Sequence, residues 1–142
     1  MDRKKILRRV AVACGAVLLV CTAVSTYVYD ALLPRIEVYD FLVRDTPDPN
    51  DYGAEWWVPE SCIQSRGENG QVTIFRVRSR DGIFGIEYFV EAIDGEIIRE
   101  GEGEVELDAP AMDIVEKLVL TTDKPLRSGT VVSILNPEVW QE

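Results

Sequence analysis

Twenty consecutive uncharged residues, Val10 to Tyr29 (VAVACGAVLLVCTAVSTYVY), constrain this chain more than any other feature. A helix over this run rises about 1.5 Å per residue. It is therefore about 30 Å long, the thickness of a bilayer's hydrocarbon core. Tyr27 and Tyr29 stand at its far end, where amphipathic rings favour the headgroup interface. Arg3, Lys4, Lys5, Arg8 and Arg9 precede it against one acid, Asp2, a net of +4. Positive flanks stay cytoplasmic. The expectation is a cytoplasmic basic stub over 1–9, a single-pass signal anchor over 10–29, and an extracytoplasmic domain over 30–142. A cleaved signal peptide competes with this, because Ala23-Val24-Ser25 is a tolerable small-x-small cleavage site. The apolar run continues past that point through Tyr29, which favours the anchor. Neither Cys14 nor Cys21 follows a convincing lipobox. Both read as small apolar residues of a membrane helix.

The formal net charge of −10 conceals an asymmetry. The residues after Tyr29 carry 10 basic and 24 acidic groups, a net of −14. Such a segment lacks the clustered Lys and Arg that nucleic acid needs. The chain has no histidine, so a Ser-His-Asp or Cys-His relay and imidazole metal ligation are excluded. Three cysteines are too few for a disulfide framework or a four-thiolate zinc site.

In the exported part, strand signals outnumber helical ones. They fall at 35–43, 71–78, 83–93, 102–107, 114–121 and 130–135. Turn signals separate them at 66–70, 81–82, 94–95 and 127–129. The fold class expected is mainly β: one transmembrane helix, then a small six- or seven-stranded β-roll or barrel. A first strand at about 35–43, an acidic linker at 45–55 (DTPDPNDYGAE) and a main β-roll at 56–135 divide it.

Chemistry is scarce. Ser61 and Cys62 are adjacent, but no histidine can activate them. A Ser-Lys pair, used by single-span signal peptidases, remains a weaker reading, because no lysine is marked as a base. Glu100, Glu102, Glu104, Glu106 and Asp108 occupy alternate positions, which in one strand share a face. A ligand- or cation-binding stripe at 100–108 is the functional alternative. The simpler reading is the solvated face of a half-buried strand, with Val105 and Leu107 inward. Asp45, Asp48, Asn50 and Asp51 form a second acidic cluster without the spacing of a calcium loop. Trp56 and Trp57 should point to opposite faces, leaving one as an interface anchor, a partner contact or edge packing. Cys62 reads as a small buried residue. No catalytic residue, cofactor site or metal site is expected. The candidate partner contacts are Trp57, Phe84 and Tyr88.

The segment from Val58 onward carries a resemblance. Val58-Pro59-Glu60-Ser61-Cys62-Ile63 resembles the Val-Pro-x-Ser-Ala-Ile strand of membrane fusion proteins, the periplasmic adaptors of the haemolysin-secretion type. Thr73 to Val77, followed by Arg80-Asp81-Gly82-Ile83-Phe84-Gly85-Ile86-Glu87, is similar to that family's next strand pair, with its Gly-x-x-Gly turn at Gly82 and Gly85. Residues 116–132, with Asp123-Lys124-Pro125-Leu126-Arg127-Ser128-Gly129, resemble the closing strand, turn and strand of Gram-positive members. Leu33-Pro34-Arg35-Ile36-Glu37-Val38 looks like the first strand after the family's anchor. The motif positions Pro59, Ser61, Gly82, Gly85, Pro125 and Gly129 are then structural.

Cys62 and Thr130 depart mildly from the pattern, where the family usually has Ala and Asp. The larger departure is between the first strand and the Val-Pro strand. There the family's lipoyl, helical-hairpin and barrel domains are reduced to the linker at 45–55. The resemblance implies the anchor and membrane-proximal domain of a minimal, non-enzymatic adaptor in a Gram-positive cell membrane. It also implies an integral-membrane partner, an ABC-type permease above all, and leaves room for a homo-oligomer.

Overall fold

The computed structural model describes residues 2–42, 44–45 and 54–140. Within it the chain forms two compact units that divide after Leu33.

The first unit is one helix, α1 (Arg3–Leu32), with no buried residue. It is long and apolar enough to cross a membrane. The Asp2 carbonyl accepts from the Lys5 and Ile6 amides and starts the helical ladder. The hydroxyls of Thr22 and Thr26 inside the apolar run are satisfied within the helix: Thr22 donates to the Leu18 carbonyl at 2.8 Å and Thr26 to the Thr22 carbonyl at 3.0 Å. Such back-bonding to the i−4 carbonyl is the usual way a Thr hydroxyl is satisfied inside a helix. Leu33 is extended, as a residue before proline tends to be, and the helix stops there.

The second unit is a sheet of eight strands, more than the six or seven expected, with a separate two-stranded ladder. The strands are β1 (Arg35–Leu42), β2 (Arg44–Asp45), β3 (Ala54–Glu55), β4 (Trp57–Pro59), β5 (Ser65–Arg66), β6 (Gln71–Gly82), β7 (Gly85–Glu100), β8 (Glu104–Asp108), β9 (Val115–Thr122) and β10 (Val131–Ile134). The very short β4, within the expected Val-Pro strand, and the additional β5 extend β8 and β6 at the two sheet edges. The ends of the expected linker pair with each other as β2 and β3. Residues 46–53 of that linker, with Asp48, Asn50 and Asp51, lie outside the described residues, as does Val43.

The β6–β7 hairpin is the spine. All twelve residues of β6 pair with β7. The outer side of β7 carries β10 and then β8, while β6 meets β9 at Arg76↔Leu118. Since β1 pairs with both β9 and β10, the ladders return on themselves through β1, β10, β7, β6 and β9. One buried cluster takes a residue from each of these five strands: Ile36, Val132, Val90, Val77 and Val119 among them. A second cluster, including Phe41, Val58, Ile74, Ile93, Leu107 and Leu118, lies on the other side of the same strands. In β6 the buried face therefore changes between Ile74 and Phe75. A twisted strand can be covered first on one face and then on the other.

Two side chains complete the backbone pairing. The Asn136 amide accepts from the Val38 N–H and donates to the Val38 carbonyl, each at 2.8 Å, where β10 has ended. The Asp123 carboxylate accepts from the Arg35 N–H at 2.7 Å at the start of β1.

Three local expectations are corrected. Asp81-Gly82, expected to turn the chain, ends β6, and the turn falls at Ile83-Phe84, at the start of the expected 83–93 strand. Asp94-Gly95, expected to turn the chain, lies inside β7, which continues to Glu100. Gly95 serves a close approach instead. A Cβ there would stand 3.1 Å from the Asp108 carbonyl oxygen and 3.3 Å from the Ala109 Cβ. The alternating acids 100–108 do not share one strand. Glu100 ends β7, Glu102 lies in the connecting turn, and only Glu104, Glu106 and Asp108 belong to β8. Gly103, at φ +74°, makes that turn.

Candidate functional site

The three candidate contacts fall in different surroundings. Trp57 is half-buried on β4, opposite Glu106 of β8. The Arg99 guanidinium lies 5.7 Å from its ring centre and also binds the Glu106 carboxylate. Tyr88 is half-buried on β7 and packs against Trp140, ring centres 5.1 Å apart. Phe84 is 84% exposed. Trp57 is tied to the end of β7 through Arg99, whereas Phe84 precedes its start, so they do not form one surface. Trp56 takes the opposite direction to Trp57 and stacks on Phe41, 5.6 Å between centres and 10° between planes.

Phe84 has a companion that strand alternation alone does not single out. Gly82 and Gly85 pair across the hairpin, so the turn itself is Ile83-Phe84. Ile83 is 94% exposed, and Ile86 is exposed beside it. A turn normally carries Asn, Asp or Gly at its centre. Two large apolar side chains placed there were the available signal. The flanking glycines are needed for the geometry. Gly85 has φ +123°, and a Cβ on Gly82 would stand 3.0 Å from the Gly85 carbonyl oxygen.

Other motif positions are spread through the unit. Pro59 ends β4 opposite Glu104. Ser61 is exposed in a 3₁₀ turn, Glu60–Cys62. Pro125 is exposed in the loop between β9 and β10, and Gly129 follows at φ +89°. Cys62 is fully buried, and that burial pushes its thiol pKa up to about 12. It is a packing residue with no thiolate character at neutral pH.

Among the described residues, arginines engage acids in several clusters, three of which bear on the expected sites and the β6–β9 junction. Arg76 Nε donates to Glu91 at 2.7 Å, and its Nη1 reaches Glu116 at 3.3 Å and the Ala111 carbonyl at 3.2 Å. Burial disfavours the charge on Arg76, but hydrogen bonds to Glu91 and Glu116 more than offset this, holding the guanidinium above its ordinary pKa. Arg78 approaches the same Glu116 at 3.6 Å and Asp113 at 3.4 Å. In the second cluster Glu106, a member of the expected acidic stripe, is buried against Arg99 rather than solvated. In the third, Arg66 bridges Glu60 at 3.0 Å and Glu100 at 2.8 Å. Two stripe carboxylates are thus already engaged by arginines. Among the described residues no group of His, Cys, Asp or Glu is arranged to hold a metal ion. Lys117 donates to Asp40 at 2.8 Å and to the Val139 carbonyl at 2.9 Å, not to Ser61. No family model, curated protein or solved structure matches this chain.

Proposed function

We propose that this chain is a membrane-anchored accessory protein without enzymatic activity, a minimal adaptor resembling a membrane fusion protein. Its β unit binds an export or efflux complex, with an ABC-type permease as the foremost candidate. The observation that carries this reading is the connector. Only Leu33 and Pro34 separate the apolar helix α1 from β1. Two residues span at most about 7 Å. With α1 in a bilayer, the β unit is tethered to the membrane, and the high effective concentration of a tether lets weak contacts suffice. The five basic residues before the span favour a cytoplasmic N-terminus and an extracytoplasmic β unit. The ring of five paired strands around one buried cluster supports a small barrel or roll, as the resemblance implies for a membrane-proximal domain.

The test is recovery from native membranes. A tagged full-length chain, mildly cross-linked, should bring down a permease subunit in near-stoichiometric amount. Recovery of no integral-membrane protein overturns the reading. Orientation is tested with an impermeant thiol reagent on cysteines introduced at Asp2 and Glu138. Labelling of position 138 alone in intact cells is expected, and labelling of position 2 alone refutes it.

A further inference from the structure

Among the described residues of the β unit, eight large apolar side chains are exposed, and six of them belong to one end of the sheet: Leu42, Ile83, Phe84, Ile86, Ile114 and Val115. Strand sense identifies that end by two independent routes. β9 is antiparallel to β1, and β6 is antiparallel to β9. By the other route β10 is parallel to β1, β7 antiparallel to β10, and β6 antiparallel to β7. Both make β6 run in the same direction as β1. The Ile83-Phe84 turn that comes after β6 therefore lies toward the end where β1 finishes at Leu42, not where β1 begins at Arg35. Leu42 pairs with Val115 there, and Ile114 adjoins it.

The charge at this end is specific. Arg80 is bound to Glu87 at 2.7 Å, Arg78 to Asp113 at 3.4 Å, and Lys117 to Asp40 at 2.8 Å. Asp81 adds one further exposed acid, so four acids face three bases around the apolar groups, on a segment whose net charge after Tyr29 is −14. Anionic lipid headgroups are disfavoured by that surplus. A second copy, with the same surplus and the same net −14 after Tyr29, is disfavoured for the same reason.

Resting on the accessory-protein reading above, we infer that this end of the sheet is the docking surface. Its occupant is a protein partner offering an apolar cleft bordered by Lys or Arg, with Ile83 and Phe84 as the inserted knob. Burial of two large side chains at the centre of a contact, within a polar rim, is the usual arrangement of binding energy.

The test uses the full-length chain in its native membrane, with a photoreactive residue at position 84, 114, 57 or 98. Cross-linked peptides are sequenced. The expected result is adducts from 84 and 114, each to an apolar segment of another protein within a few residues of Lys or Arg. Yield from 114 should fall about tenfold in Ile83→Asp or Asp81→Lys, with thermal stability unchanged. Several outcomes overturn the proposal: adducts to a second copy, adducts to lipid alone, a partner segment without basic neighbours, equal yield from 98, or yield from 114 insensitive to both substitutions. Adducts from 57 alone remove this surface while leaving the accessory reading in place. No adduct from any position removes both.

Discussion

Arg76 lies 3.3 Å from Glu116, whose side chain is only 2% exposed, and this pair joins β6 to β9 where their ladder is a single residue long. The wider group of Glu91, Arg78 and Asp113 surrounds it. Arg76→Ala strands a buried carboxylate with Arg78 as its remaining cation. A loss of about 3 kcal/mol is expected, because removing one partner leaves an uncompensated charge. The double substitution Arg76→Met, Glu116→Leu should recover most of it. Chemical denaturation of the full chain in detergent measures both. A single-variant loss below about 1 kcal/mol would show that the pair is not holding the strands.

Arg99 and Arg66 give a contrast within one protein. Arg99 binds Glu106, which is buried, whereas Arg66 and its partners Glu60 and Glu100 are exposed. Arg99→Ala is expected to cost about 2 kcal/mol and Arg66→Ala about 0.5 kcal/mol. The ranking is checked by parallel denaturation curves, and the reverse order would contradict it.

The buried Cys62 thiol predicts a pH effect with a definite sign. Its pKa is raised to about 12 in the folded protein, against an ordinary 9.0. Between those values the unfolded chain has lost the proton and the folded one keeps it. Stability is therefore fully present below about pH 9 and falls as pH rises toward 12, by up to about 1.4 kcal/mol per unit. Against a Cys14→Ala, Cys21→Ala background, Cys62→Ala should remove this contribution. Native Cys62 should also resist alkylation until the protein unfolds.

Gly95→Val places a side chain against β8 where a Cβ already meets the Asp108 carbonyl oxygen at 3.1 Å. A loss of about 2 kcal/mol is expected from overpacking. Ile83→Ser and Phe84→Ser, at the exposed turn, should each change stability by less than about 0.5 kcal/mol. Thermal melts of the three variants test both statements together.

Several elements were legible along the chain. The long apolar helix arises from twenty uncharged residues. β1, β6 and β9 lie within a residue or a few of their expected limits, because alternation over several positions is a local signal. Turn chemistry misled at Asp94-Gly95, where the same glycine that suits a turn also suits a crowded strand. The acidic alternation misled at 100–108, since period two says nothing about a turn at Gly103 or an arginine on the neighbouring strand. The apolar end was partly visible: Phe84 stood out, but Leu42, Ile114 and Val115 read as ordinary strand residues.

The sequence by itself determined the hydrophobic helix, its basic flank, the β character of the residues after Pro34, and an Ile-Phe pair held between glycines. These are properties of neighbouring residues, and chain chemistry sets them locally. Tertiary structure decided which acids are buried, which face of β6 is covered at each point, and that six exposed apolar side chains belong to one end of the sheet. Those outcomes depend on pairing between segments far apart in the chain. Glu116 is buried with Arg76 and Arg78 of β6 reaching it, and Phe84 is exposed in the turn between β6 and β7.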